Sequence, residues 1–315
     1  MKKALKITGK TLLTIIILLV LFLLTVFVYH KIKLKSEERL FADNPGQFVT
    51  VDGHNMNVYT EGSGGHTIVF LSGSGTAAPI YDFKPLAGRL SDEYRIVVVE
   101  KFGYGFSDVV DDERSFDTIL RQDREALAKT GISGPFVLCP HSMSGIEALM
   151  WAQEYPDEVE AIVGLDMALP RHYDELDLKS AEKYERIAAV AREMGLIRFY
   201  YTDKALPGEL SEEDKKIYKA IAAKTAVNID VINEGNSIPD ACKKIDSGPA
   251  PDIPTLMFIS NGTETDCSNW ISAQKDYAAG LTNAKTVEFD CGHYVHDHEP
   301  DKIAAEMKEF INSLS

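Results

Sequence analysis

The chain opens on an uninterrupted apolar run. Between Lys10 and Lys31 lie twenty residues, Thr11 to His30, with no Gly, Pro, Asp, Glu, Lys or Arg among them. At a rise of 1.5 Å per residue, a helix of that length reaches across a hydrocarbon core ~30 Å thick. A cleaved secretory signal has a shorter apolar stretch, about 7–15 residues, followed by a small-residue cleavage site, and no such site follows here. A helix buried in a soluble core would carry a polar face, and this one has none. The pattern therefore predicts a membrane anchor and linker over residues 1–40, with the span at about 11–30.

Beyond the anchor the pattern shortens. Phe48–Val51 and Met56–Tyr59 alternate around Asp52-Gly53, which predicts an antiparallel hairpin. Short runs rich in β-formers follow at 67–72, 95–100, 136–139, 161–165, 255–260 and 286–289. Helical patterns separate them at 82–90, 115–131, 144–156, 268–279 and 301–313. Strands alternating with helices predict βαβ units and a mainly parallel sheet. The strands lack polar alternation, as strands buried on both faces do. Residues 171–250 break this rhythm with helical patterns at 178–194, 211–227 and 228–236, and Ser211 with Asp214 resembles a capping box. The expected organisation is an α/β core of residues 41–170 and 251–315, interrupted by a helical cap at 171–250. The plainer alternative is that those helices pack beside the sheet.

Charge sharpens this division. The net charge of −15 conceals eight Lys/Arg against two Asp/Glu in residues 1–40, so the remainder carries −21. A body this acidic repels phosphate backbones, which argues against nucleic acid as a partner. Lys2, Lys3, Lys6 and Lys10 precede the span, and Lys31, Lys33, Lys35 and Arg39 follow it. The positive-inside balance is nearly even, and the terminal amine tips it toward a cytoplasmic N-terminus with the domain outside the cell membrane.

Three segments carry candidate chemistry, all at the C-terminal ends of expected strands, where ligands bind in such sheets. The first is FVLCPHSMSGIEAL, residues 136–149: a strand, a sharp turn and a helix, with Ser142 at the turn. A hydroxyl there projects from the sheet edge beside a helix N-terminus. The common elbow is G-x-S-x-G; Pro140 and Ser144 stand at its glycine positions, and Gly145 follows. The competing reading is a serine N-cap. The second is DCGHYVHDHEP, residues 290–300, where His293 could take and return the Ser142 proton, with His296 and His298 as alternatives. Their spacing matches no usual metal site, and neither a metal nor a cofactor is implied. The third is LSGSG, residues 71–75, where a tight turn could aim the Ser74 amide, together with that of Met143, at a developing oxyanion. It lacks the P-loop pattern. Four cysteines form no CxxC pair; Cys139 is expected to be a buried thiol, and Cys267 and Cys291 could pair if their loops meet.

With these motifs in order, the chain resembles the α/β-hydrolase family over roughly residues 48–314. The matches are VDGHNMNVYTEGSG, FLSGSG, EKFGYGFSD, PHSMSG, WAQEYPDEV and GHYVHDHEP. It departs from the family pattern at Glu100, where an Asp is usual, and at Ser72-Gly73, where His-Gly is usual. It is similar in particular to small single-span hydrolases of Gram-positive bacteria. The resemblance implies a serine hydrolase with nucleophile Ser142, base His293 and a triad acid. The family's commonest acid position falls near Gly262, where Asp266 sits one residue late and Glu264 is nearby. A minority arrangement, at the end of the preceding central strand, points to Asp166 in GLDMALP. Asp166 ranks first and Asp266 second.

The function expected is cleavage of an ester or related acyl bond, in a small-molecule or lipid-like substrate, through a Ser142 acyl-enzyme. Serine at the elbow argues against dehalogenase or epoxide hydrolase chemistry, in which the family resembles a sister arrangement with Asp there. Two alternatives stay open. One is a proline iminopeptidase-like peptidase, for which a Glu-rich cap would suit a substrate amine. The other is a membrane-tethered member of the fold that binds ligand without catalysis.

Overall fold

The computed structural model describes residues 2–42, 44–174, 177–265 and 267–314, with side chains from residue 9 onward. Helix α1 (Lys2–Glu37) takes in the whole apolar run. Only 6% of its most apolar window is buried by the rest of the chain. It is one apolar helix near the N-terminus, long enough to cross a membrane, as an anchor or a signal sequence would be.

Strands β1 (Gln47–Val51) and β2 (His54–Glu61) form the expected hairpin, in register Val49↔Met56 and Val51↔His54. β3 (Thr67–Leu71), helix α2 (Pro79–Leu90), β4 (Arg95–Glu100), α3 (Phe116–Lys129), β5 (Phe136–Pro140), α4 (Ser144–Glu154) and β6 (Val159–Leu165) follow. Three helices come next: α5 (Leu178–Glu193), α6 (Glu212–Thr225) and α7 (Ile229–Ser247). Then come β7 (Thr255–Ile259), α8 (Trp270–Ala279), β8 (Ala284–Glu288), a single turn α9 (Val295–His298) and α10 (Pro300–Asn312). The eight strands run in the order β1-β2-β4-β3-β5-β6-β7-β8. β2 lies antiparallel to β4, and every pair from β4 to β8 is parallel.

Alternate residues of the central strands feed two separate cores, because side chains in a strand point to opposite faces. Val69, Val97, Leu138, Ile162 and Met257 join one cluster with residues of α3 and α4. Ile68, Ile96, Val137, Val163 and Phe258 join the other with α2 and α10. Both faces are covered, so no polar alternation appears in the sequence. β8 departs from that expectation. Its residues are exposed or half-buried, and Lys285 and Glu288 pair with Glu306 and Lys275. Charges of this kind keep an edge strand from recruiting another chain.

The capping box at the start of α6 forms: Ser211 Oγ accepts from the Asp214 amide at 3.1 Å. α7 departs from the sequence pattern. It continues through Pro239 to Ser247 rather than ending at 236. Ile238, Ala241, Cys242 and Ile245 extend an apolar stripe at i, i+3, i+4, i+7 and bury it in the core cluster with α3 and α4. Packing of that stripe outweighs the lost backbone hydrogen bond at the proline.

Candidate active site

Ser142 stands where β5 turns into α4. His141 still bridges to Leu165 of β6, and the chain then turns through Ser142 at φ +53° before the helix begins. That conformation is costly for a non-glycine residue and persists where its surroundings hold it. Here the Ser142 carbonyl accepts from the Ala168 amide at 2.7 Å. The crossing is tight at residue 145. A Cβ there would lie 2.2 Å from the Ala168 carbonyl oxygen, so only glycine fits. Ser144, at the usual glycine position of the elbow, is fully buried, and its hydroxyl lies 2.7 Å from the Leu71 carbonyl and 2.8 Å from that of His141. The small neighbour the turn requires has moved one residue along.

His293 lies in the loop between β8 and α9. Its Nε2 is 2.8 Å from Ser142 Oγ, and its Nδ1 is 2.6 Å from Asp166 Oδ2. Asp166, at the end of β6, is fully buried and has φ +47°. Its other oxygen accepts from the Ser260 amide at 2.9 Å, Trp270 Nε1 at 2.9 Å and Gln274 Nε2 at 3.1 Å. Burial alone would raise the Asp166 pKa. The hydrogen bond and charge of His293, with the Ser260 donors, outweigh it and hold the carboxyl below its ordinary value. A serine, an imidazole and a carboxylate in one hydrogen-bonded line can move a proton from hydroxyl to ring while the carboxylate fixes the ring's tautomer.

The remaining candidates fall elsewhere. Glu264 Oε2 accepts from the His293 amide at 2.8 Å, so it holds the backbone of His293 and not its ring. Asp266 lies outside the described residues. His296 points to Asp82, 3.2 Å away, and His298 is exposed, so neither ring is the one against Ser142. Among the described residues, neither the Ser74 nor the Met143 amide meets an acceptor, and Met143 sits at the N-terminus of α4, where partial positive charge collects. No disulfide forms among the described residues, and the Cys267 thiol instead donates to Asn269 Oδ1 at 2.7 Å. Cys139 is buried, as expected, and burial pushes its thiol pKa well up.

Several residues around this line gave no sign in the sequence. Trp270, Gln274 and Ser260 reach Asp166 from about a hundred residues away. His172 stacks on Trp270 at 4.2 Å, accepts from the Leu169 amide at Nδ1 and meets the Trp270 carbonyl with Nε2. Burial lowers its pKa to about 4, so it stays neutral and braces the tryptophan. The His141 ring lies 4.7 Å from that of His293, and burial, then the neighbouring histidines, hold it neutral. Asp82, His296 and Asp297 bring one ligand atom each within 4.8 Å of one another. Burial opposes a charge on His296, but the bond to Asp82 and the Asp297 charge raise its pKa, while burial in turn pushes the Asp297 carboxyl up to about 7.

Comparisons with known proteins agree with this architecture. The profile described as Alpha/beta hydrolase family matches residues 68–306. An uncharacterized protein of Bacillus subtilis (strain 168), YbdG, is 37% identical over 308 residues, covering 94% of each chain. Among solved structures, Cfl2 from Burkholderia cenocepacia superposes with a TM-score of 0.67 at 21% identity, over 84% of this chain and 95% of that one. The haloalkane dehalogenase DbeA from Bradyrhizobium elkani USDA94 gives 0.66 at 18% identity, over 85% and 97%. At such identities the structures speak for the fold alone, while the family match and the Bacillus relative span most of the sequence: the chain belongs to the alpha/beta hydrolase family.

Proposed function

We propose that the protein is a membrane-anchored serine hydrolase that cleaves an ester or related acyl bond, with Ser142 as nucleophile, His293 as general base and Asp166 as the triad acid. The observation that carries this reading is the continuous line Ser142 Oγ, His293 Nε2, His293 Nδ1, Asp166 Oδ2, with contacts of 2.8 and 2.6 Å. Ser142 Oγ attacks the acyl carbon as its proton passes to His293 Nε2. The amides of Ser74 and Met143 receive the negative oxygen. The carbon–oxygen bond to the leaving alcohol breaks, and His293 returns the proton to it. A water, deprotonated by the same ring, then releases the acid and regenerates Ser142.

The peptidase alternative has less behind it. Glu182 pairs with Arg186, Glu193 with Arg192 and Lys31, and Glu209 with Arg89, so these acids are engaged on the surface, whereas Glu185 of α5 is half-buried and pairs with no cation among the described residues. The purely ligand-binding alternative would leave the aligned proton path without a use. In the same reading residues 171–250 form the cap, α1 spans the cell membrane once, and the domain lies outside the cytoplasm.

A fluorophosphonate probe applied to membranes containing the full chain tests the chemistry. Covalent labelling that disappears in Ser142→Ala supports it, and absence of labelling in the folded wild type overturns it. Protease cleavage of the domain on intact cells tests the orientation, and complete protection would reverse it.

A further inference from the structure

Along the second half of its apolar run and just beyond it, α1 is clasped by the helical segment after β6. Phe22 stacks on Phe199, with ring centroids 6.4 Å apart. Arg198 donates to both carboxylate oxygens of Glu37, at 3.1 and 2.7 Å, and through Nε to His30 Nδ1 at 3.1 Å. Gly195, at φ +80°, lets the two segments touch. A Cβ there would lie 2.4 Å from that of His30. Between α1, the turn Leu196–Phe199 and α6 lies a cavity of about 650 Å³, a size that holds a drug-sized ligand.

The lining of this cavity changes character along α1. Phe22 and Val26, with Phe199 stacked on Phe22, make one end apolar; Lys33 and Arg39 lie toward the other, and Lys216 of α6 also lines the cavity. Among the described residues Lys33 and Arg39 form no ion pair, and Lys216 has only an exposed contact with Glu213 at 3.5 Å, of a kind worth little. Lys33 and Arg39 belong to the basic first forty residues, while Lys216 comes from the body that carries −21. The depths also match a bilayer. Phe22 lies about 12 Å along the helix axis from His30, within the ~15 Å of one hydrocarbon leaflet. Lys33 lies about 5 Å beyond His30, in the headgroup layer, which is ~5–7 Å thick on each face.

We infer that this groove holds one anionic phospholipid of the surrounding bilayer, one of its two acyl chains along Phe22, Val26 and Phe199 and its phosphodiester at Lys33, Arg39 and Lys216. A juxtamembrane cluster of basic residues attracts such headgroups. The inference rests on α1 as a membrane span and is independent of the chemistry at Ser142. The bound lipid fills the seam between anchor and cap and fixes how the domain sits on the membrane.

The full chain in nanodiscs of phosphatidylcholine and phosphatidylglycerol at 3:1 provides the test, with retained lipid read by native mass spectrometry. Phosphatidylglycerol is expected to be retained about tenfold over its bulk share. Arg39→Gln with Lys216→Gln is expected to abolish that preference while leaving Lys2, Lys3, Lys6 and Lys10, on the cytoplasmic side of the span, to hold the topology. The thermal unfolding midpoint in the same discs reports folding without reference to Ser142. If that pair unfolds, Lys216→Gln alone, on the surface of α6, is expected to cut the preference at least threefold. Retention in the bulk ratio, or a folded variant with undiminished preference, overturns the lipid site while leaving the anchor intact. Release of the wild type from membranes by alkaline carbonate overturns the anchor, and the lipid site with it.

Discussion

Asp166 reaches the ring of His293 at 2.6 Å with one oxygen, while the other oxygen is held by three donors, one from Ser260 just after β7 and two from α8. A carboxylate bound on both sides cannot swing away, so it keeps the proton on Nδ1 and leaves the Nε2 lone pair facing Ser142. Asp166→Asn therefore keeps the shape and loses the tautomer. The expected cost is about 10⁴ in the turnover of a chromogenic ester. Asp266→Asn is expected to keep activity within a few-fold. A large loss in the second variant and a small one in the first would move the acid to Asp266.

The elbow makes a second, paired prediction. Glycine is required at 145, where a Cβ would meet the Ala168 carbonyl, and not at 144, where a serine hydroxyl serves the carbonyl of Leu71 or that of His141. Gly145→Ala is expected to destabilise the chain by about 1–3 kcal/mol through overpacking and to slow probe labelling of Ser142 sharply. Ser144→Gly, which restores the commoner motif, is expected to lose about 1 kcal/mol and keep its labelling rate. Denaturation midpoints and labelling kinetics on the two variants separate the effects.

Most of the sheet could be read from the sequence because each buried strand is a short apolar run between turn residues, and each flanking helix repeats its apolar positions every three or four residues. Ser142 and His293 could be read because each sits in a local pattern at a strand end. The carboxylate beside His293 was harder to read, since nothing near Asp166 in the chain announces the donors of Trp270, Gln274 and Ser260 that hold its other oxygen. α7 beyond 236 was hidden by Pro239, a residue whose local preference was overruled by packing against α3 and α4. The clasp between α1 and Arg198 joins positions 161 apart, with no shared motif to link them.

A buried ion pair ties α7 to the loop that carries Ser74. Lys101, at the end of β4, meets Glu234 of α7, lies 3.6 Å from Glu147 of α4 and donates to the Ser72 carbonyl at 3.3 Å. Tyr104 donates to the second Glu234 oxygen at 2.5 Å. Burial opposes the charge on Lys101, but Glu234 and Glu147 outweigh it and raise its pKa, so it stays charged. Glu234→Gln strands much of that charge and is expected to cost about 3 kcal/mol in urea unfolding. Replacing both partners, Lys101→Met with Glu234→Leu, is expected to recover only part of the loss, because Glu147, buried 3.6 Å from Lys101, then loses its cation. Because Lys101 also holds the loop before Ser74, the single variant is expected to label more slowly than the wild type. A double variant no more stable than Glu234→Gln would show that the pair itself, and not the stranded lysine, sets the cost.

Glu100 supplies a pH signature of its own. It is fully buried at the end of β4 and accepts from the Phe106 amide at 2.8 Å, Asn57 Nδ2 at 2.9 Å and the Ile80 amide at 3.5 Å. Burial outweighs those donors and pushes its pKa up to about 7, from 4.5 for the free group. A carboxyl whose folded pKa is raised binds its proton more tightly in the folded state. Its contribution to stability is therefore complete below about pH 4.5 and is lost as pH rises through about 7. Over that window the loss is on the order of 3 kcal/mol. Carboxylates such as Asp166, held below their usual range, slope the other way at lower pH, so the comparison must be made against Glu100→Gln, which cannot titrate. The stability of the wild type relative to that variant is expected to fall between pH 4.5 and 7 and to level off above about 8, read as the difference between two sets of unfolding curves. Any fixed cost of placing an amide among the three donors shifts the difference by a constant and leaves its slope untouched. A difference that stays flat across the window would mean that Glu100 is already ionised in the fold at pH 5, with its three donors outweighing burial.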